Sequence, residues 1–319
     1  MESNKTFSTR ISGFMAAVPG MNALVAKLAR AFPHSRVVQS TAFRMSQANC
    51  SVSDTSTKIA TLVGGARLVV SFEEHLFRLA YFFGSHEPEL SKLLLRISKP
   101  GQKWIDIGAN IGVFTVTLAK SVGADGIVVA FEPNQRLANR LLESIRINGF
   151  KNVELRQNAL GESVGEALLH IPVATEEIPG GSGRASLLVQ DSLGEVNIER
   201  IALSTLDHET KDLGEVFGVK MDVEGFELAV LKGGREFFTD HPPRVVIFEV
   251  SLLPEALASP TELLAMVGSY GYDLFTLPDL RAVDLRTEYK GGFCENVLGI
   301  HRSELSTRSI LGIGQDNEK

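Results

Sequence analysis

The sequence predicts an α/β fold: an open, doubly wound sheet of seven strands, mostly parallel with one antiparallel strand, preceded by an N-terminal extension. Three observations predict it. From Lys103 onward, short apolar runs alternate with segments of helical period. The first run ends in a glycine-rich turn, Asp106-Ile107-Gly108-Ala109-Asn110-Ile111-Gly112. Carboxylates then stand at the ends of the second and fourth runs, at Glu132 and at Asp222 and Glu224. Ligands of such sheets lie beyond the carboxyl ends of the strands, so all three features point to one edge.

Taken in order, residues 1–57 are a basic extension, weakly ordered or helical, with an amphipathic helix from Met21 to Phe32. Over residues 1–53, six cations (Lys5, Arg10, Lys27, Arg30, Arg36, Arg44) against Glu2 give +5, and the total of −6 leaves −11 for the rest. Residues 58–102 hold a hairpin, Lys58 to Val63 and Arg67 to Phe72 about Gly64-Gly65-Ala66, then a helix from Glu87 to Ile97 that Pro100-Gly101 ends. The main domain is expected over residues 103–305, with strands at Lys103–Ile107, Ile127–Phe131, Val153–Gln157, Val219–Val223, Val245–Val250, Tyr272–Leu277 and Asn296–His301. Helices are expected near Gly112–Ser121 and Gln135–Asn148. A long interruption, Gly161 to Gly218, carries strand patterns at Ala167–Pro172 and Ile198–Leu203 around a Gly-Ser loop. Glycines at 271, 291 and 292 allow a late strand to return antiparallel, and residues 306–319 form a tail.

At 319 residues and 44% hydrophobic content the chain can bury a large core. No run approaches the roughly 20 apolar residues of a membrane-spanning helix. The acidic balance offers nucleic-acid phosphates no overall attraction, so no nucleic-acid partner is expected. Cys50 and Cys294 lack pairing or zinc-ligand spacing, which fits a reducing compartment. A cytoplasmic location is expected, with an organellar one as the alternative because the basic, serine-rich extension has the composition of a transit peptide.

Gly108 and Gly112 remove side chains where the backbone must turn sharply and a ligand approach, and the following helix offers unpaired N–H groups. The turn lacks the G-x-G-x-x-G spacing suited to a dinucleotide pyrophosphate. Asp106 suits a ligand with an ammonium group, which S-adenosylmethionine has and NAD lacks. Glu132 can accept hydrogen bonds from two ribose hydroxyls, and Asn158 beside Ala159 can border an adenine. The segment Lys220-Met221-Asp222-Val223-Glu224-Gly225-Phe226-Glu227 gathers three carboxylates and a lysine where substrate would meet the sulfonium. There a carboxylate can orient a hydroxyl and take its proton, and strand alternation places Asp222 and Glu224 on one face. Glu227 reads as an acid at the positive end of a helix from Glu227 to Lys232. Asp222, Glu224 and Glu249 could ligate a hard cation, although nothing in their spacing requires a metal.

The order Asp-Ile-Gly-Ala-Asn-Ile-Gly, Phe-Glu-Pro, Asn-Ala-Leu-Gly, Ser-Thr-Leu-Asp (204 to 207) and Lys-Met-Asp-Val-Glu-Gly-Phe-Glu resembles the FkbM-type methyltransferases over about residues 85 to 300. The resemblance implies a seven-stranded class I methyltransferase (Rossmann-like) fold and S-adenosylmethionine as cofactor. It also implies methyl transfer, often to hydroxyl oxygens of sugars or polyketide-type molecules. It assigns cofactor contact to Asp106, Gly108, Asn110, Gly112 and Glu132, and the reaction centre to Asp222 to Glu224. His86-Glu87-Pro88-Glu89 resembles a family segment in which Glu87 closes over the cofactor. The loop around Gly183, with Arg184 and Ser186, resembles the substrate-side loop, and Glu249 is a further candidate on that side. Three rival readings remain: an NAD-dependent oxidoreductase, disfavoured by the glycine spacing and the lack of a Tyr-x-x-x-Lys pair; a nucleic-acid methyltransferase, whose Asn-Pro-Pro-Tyr type motif is replaced by Asp-Val-Glu-Gly; and a non-catalytic binding protein of the same fold.

Overall fold

The computed structural model describes residues 15–16, 18–49, 56–173, 185–189, 194–252, 256–287, 289, 291 and 294–313. Helices α1 (Met21–Ala31) and α2 (Arg36–Ala48) lead to a hairpin of β1 (Thr57–Thr61) and β2 (Arg67–Ser71), then to α3 (His75–Phe83) and α4 (Pro88–Ile97). The main sheet is formed by β3 (Lys103–Ile107), β4 (Ile127–Phe131), β5 (Val153–Arg156), β9 (Gly218–Met221), β10 (Val245–Ser251), β11 (Tyr272–Thr276) and β12 (Cys294–His301). Its order is β11-β12-β10-β9-β3-β4-β5, with β12 antiparallel to both neighbours and the other pairs parallel.

The apolar runs are continuous because the sheet is covered on both faces. Alternation then divides each strand between two cores. Trp104, Val128, Ala130, Val245 and Ile247 join the core that also receives α1 and α2, through Val25, Ala26, Ala29, Ala42 and Met45. Ile105, Ile107, Val129, Phe131, Val219 and Met221 join the opposite one. Between β3 and β5 run α5 (Val113–Val122) and α6 (Gln135–Asn148). The central β9-β3-β4 trio and the late antiparallel β12 make this a class I methyltransferase-like fold, as predicted.

Several strand ends differ from the sequence reading, and two of them bear on the site. The third strand stops at Arg156, and Ala159 belongs to a separate three-stranded sheet of β6 (Ala159–Leu160), β8 (Val196–Ser204) and β7 (Gly165–Pro172). The fourth stops at Met221 because the chain turns there. The Gly-Ser loop and Arg184 lie outside the described residues. After β8 come α7 (Leu206–Thr210) and, after β9, α8 (Glu227–Lys232), α9 (Arg235–Asp240) and later α10 (Pro260–Ser269); α11 (Leu305–Leu311) follows β12.

Candidate active site

A cavity of about 1020 Å³, counted to its open mouth, lies at the carboxyl ends of β3, β4 and β9. The β3–α5 turn forms its floor. The Gly108 and Ala109 N–H groups donate to the Phe131 carbonyl at 3.0 and 2.9 Å. A Cβ on Gly108 would stand 1.9 Å from the Asp222 carbonyl oxygen, so glycine is required here by the close approach of the chain leaving β9. Gly112 takes the sharp turn the sequence suggested, at φ 93°, but not the close approach of a ligand. It lies off the cavity wall, and its Cβ would meet Leu141 of α6 at 2.2 Å, so it serves helix packing. Between them Asn110 sits at φ 53°, its Oδ1 accepting from the Ile111 N–H at 2.7 Å.

Glu132 ends β4 on the cavity wall. Its Oε2 accepts from the Asn110 N–H at 2.7 Å and its Oε1 from the Asn134 N–H at 2.9 Å. Burial pushes the carboxyl up to about 7 against the pull of those two N–H groups. Asn158 and Ala159 line the adjoining wall.

The chain leaving β9 does not continue as a strand. Glu224 takes φ 54° and Gly225 φ 92°, so Asp222 and Glu224 are placed by a tight turn and not by strand alternation. Both border the cavity. Glu227, read from sequence as a helix-end acid, closes this turn: its buried carboxylate accepts from the Val223 and Gly225 N–H groups at 3.1 and 3.4 Å. Burial pushes it up to about 7. The Ser186 hydroxyl donates to the Glu224 carbonyl at 3.2 Å, which places Ser186 behind the wall, tying the small sheet to the turn.

Beneath Asp222 lies a buried charged cluster. The Lys220 Nζ donates to Asp222 Oδ2 at 3.3 Å, stands 3.9 Å from Asp106 Oδ1, and lies 5.0 Å from the centre of the Phe114 ring. Burial alone would lower the Lys220 pKa, but Asp222, Asp106 and Glu87 together outweigh it and raise it. Asp106 is fully enclosed rather than on the wall; its Oδ2 accepts from the Thr115 hydroxyl at 2.6 Å. Glu87, at the start of α4, accepts from Asn296 Nδ2 at 3.3 Å and is likewise set back from the wall. Its pKa is raised by burial and then by Asp222. His86 does line the cavity, its ring 5.4 Å from that of Phe114, and burial followed by the Lys220 charge holds it down to about 4.

Lys220 and His86 were not singled out by sequence. Lys220 was visible two residues before Asp222, on the same face of a strand; His86 carried only its place in the His-Glu-Pro-Glu segment. Glu249 sits opposite Asn296 in the β10–β12 pair, away from the cavity wall. Among the described residues, no group of three or more His, Cys, Asp or Glu is arranged to hold a metal ion.

Three buried atoms in this cluster have no hydrogen-bond partner: Asp106 Oδ1, Glu87 Oε2 and His86 Nδ1. Buried polar atoms left this way signal a missing polar group. On the cavity wall itself Glu132, Asp222 and Glu224 stand against Lys220, and the group that suits this balance is a cation. S-adenosylmethionine carries an ammonium and a sulfonium within one small molecule.

A model of the FkbM methyltransferase domain matches residues 106–274. The chain belongs to the FkbM methyltransferase family. It is 27% identical over 179 residues to the hexuronic acid methyltransferase AglP of Haloferax volcanii, covering 56% of this chain and 68% of that one. It is 31% identical over 100 residues to the catalytic subunit of a tRNA (adenine(58)-N(1))-methyltransferase of Cryptococcus neoformans, covering 29% of this chain but only 23% of that protein. Among solved structures, it is similar to a precorrin-6y C5,15-methyltransferase from Geobacter metallireducens at TM-score 0.39 and 13% identity, over 68% of this chain and 89% of that one.

Proposed function

We propose that this FkbM methyltransferase methylates a hydroxyl oxygen of a small acceptor: a sugar, a glycoside or a polyketide-type molecule. The observation that carries this reading is Asp222, a carboxylate on the cavity wall held by a hydrogen bond from buried Lys220. In the bound state, S-adenosylmethionine supplies a methyl carbon on positively charged sulfur, and transfer leaves a neutral thioether. Asp222 takes the hydroxyl proton as the new oxygen–carbon bond forms. Lys220 holds its own proton and orients Asp222. Alignment of acceptor and methyl supplies much of the acceleration.

Glu132 would accept the ribose hydroxyls, Asn158 and Ala159 would border the adenine, Gly108 and Asn110 would floor the site, and His86 would face the ammonium end with Glu87 acting from behind the wall. Asp106 and Gly112 would act from beneath, the first by seating Lys220 and the second by packing. Glu224, backed by Ser186, would stand on the acceptor side.

The acceptor named for the archaeal relative, a hexuronic acid, offers both hydroxyls and a carboxylate. Glu132, Asp222 and Glu224 against Lys220 give the wall a negative balance, which favours a hydroxyl over an anionic group. The net charge of −6 likewise favours a small acceptor over tRNA. The test is a screen of labelled S-adenosylmethionine against sugars, uronic acids, polyketides, phenols and RNA, with wild type and Asp222→Asn side by side. Label on a hydroxyl that Asp222→Asn abolishes supports the reading. Label on a carboxylate or on RNA, untouched by that substitution, refutes it.

A further inference from the structure

The catalytic reading leaves the N-terminal helix pair unused. Helix α1 buries Val25, Ala26 and Ala29 in the core, yet its outer side is apolar as well. Leu24 and Leu28 of α1 and Phe32, which caps its end, recur every fourth residue and are 52, 37 and 55% exposed. Val37, 75% exposed, continues the apolar surface into the first turn of α2, and Phe43 is 49% exposed. Exposed apolar residues scattered singly need no explanation, but a stripe does.

Charge identifies what the stripe faces. No Asp or Glu occurs from residue 3 to residue 53, where the overall frequency of 38 acids in 319 residues would place about six. Lys27 stands within the stripe and Arg36 at its end, both exposed. We propose that α1 and the first turn of α2 dock the protein on an anionic phospholipid bilayer, with Leu24, Leu28 and Phe32 entering the headgroup–acyl boundary and Lys27 and Arg36 meeting lipid phosphates. A nucleic acid would engage the cations and leave the stripe in water. A second copy related by two-fold symmetry would set like charges against each other.

The docking helix is tied to the site. The Arg30 guanidinium donates to the Tyr81 carbonyl of α3 at 2.7 Å, and α3 supplies Leu76 and Phe77 to the cavity wall. A bilayer under α1 is therefore one helix removed from α3, which supplies part of the cavity wall.

Full-length protein is sedimented with phosphatidylcholine vesicles, with or without about 30% phosphatidylglycerol, at low and high salt. The anionic vesicles are expected to retain the protein at least about tenfold more strongly than neutral ones, with retention falling as salt rises. A Leu24→Ser/Leu28→Ser/Phe32→Ser variant is expected to lose about tenfold or more in retention. Lys27→Glu/Arg36→Glu, which spares the apolar stripe, should weaken retention and flatten its salt dependence. Both variants are checked for unchanged S-adenosylhomocysteine affinity, so that loss of fold is read separately. Equal retention on neutral vesicles, no retention of wild type, or a concentration-dependent dimer that the triple substitution abolishes would each overturn the proposal.

Discussion

Asp222 and Glu132 are legible in the sequence because a carboxylate where an apolar run stops has few structural reasons to be there. Lys220 and His86 are harder to read, since what brings them to the site is packing that only the folded chain makes: Lys220 beside Asp106 of the neighbouring strand, and His86 against Phe114 of α5. If Asp222 takes the acceptor's proton, Asp222→Asn should lower kcat about 100-fold or more while S-adenosylhomocysteine affinity, measured by calorimetry, changes less than about threefold. Glu132 gives a second residue-scale test. If it accepts the two ribose hydroxyls, its carboxyl, pushed up to about 7 by burial, must be ionised in the complex, so cofactor binding has to expel a proton below that pH. S-adenosylhomocysteine affinity should therefore fall by up to about tenfold per pH unit below about 7 and level off above it. Titrations at pH 6, 7 and 8 check this, and Glu132→Gln should bind more weakly without the pH dependence.

Elements were legible where local chemistry fixes both ends. Helix α6 matches the sequence reading residue for residue because Asn134 caps it, its Oδ1 accepting from the Arg136 and Leu137 N–H groups, and Gly149 ends it in the left-handed region. The end of β9 was not legible. Alternation carries Val219 to Val223 forward as a strand, and nothing in the side chain of Glu224 announces a positive φ. What imposes that conformation is Glu227, whose carboxylate gathers the Val223 and Gly225 N–H groups from the far side of the turn. Glu227→Ala would leave two N–H groups without an acceptor at a cost of about 2 kcal/mol or more, read as a lower denaturation midpoint. Activity should fall further than stability alone explains, because the turn sets both Asp222 and Glu224. Glu227→Gln, which keeps an acceptor oxygen, should recover most of both. At Gly112 a different element contact is tested: Gly112→Ala forces a side chain onto a residue at φ 93° and against Leu141 of α6, so it should destabilise, and the double substitution with Leu141→Ala should cost less than the sum of the two singles, where independent sites would add.

Across the whole molecule, the seven strands were legible because burial on both faces makes their apolar runs continuous, whereas their order in the sheet was implied by the family resemblance and not by periodicity. The two cores leave the site's ionisable groups packed beneath the strand ends, and this gives the ligand-free protein an unusual response to pH. Glu132 and Glu227 are pushed up to about 7, and Glu87 and Asp106 are also raised, burial being the largest cause in each. From about pH 4.5 to about 7 Glu132 and Glu227 keep protons in the fold that the unfolded chain has released, so they stabilise the fold at the acidic end and lose that contribution as pH rises; Glu87 and Asp106 act in the same direction. His86 runs the other way: neutral in the fold down to about 4, it contributes above its ordinary 6.5 and loses that contribution as pH falls. His75 and His301, also lowered by burial, share its sign but face solvent more. Asp273 and Asp284 are lowered from 3.8 and Glu304 from 4.5, so their effects fall below this window. Glu132 and Glu227 alone exceed His86 by one proton, so stability should decline by about 1 kcal/mol per unit from pH 5 to pH 6.5. Urea denaturation at pH 5, 6 and 7 checks the slope, and Glu132→Gln/Glu227→Gln should flatten or reverse it. Saturating S-adenosylhomocysteine should oppose the decline, because it binds the ionised form of Glu132; a stability that rises with pH in the ligand-free wild type would contradict this account of the buried carboxylates.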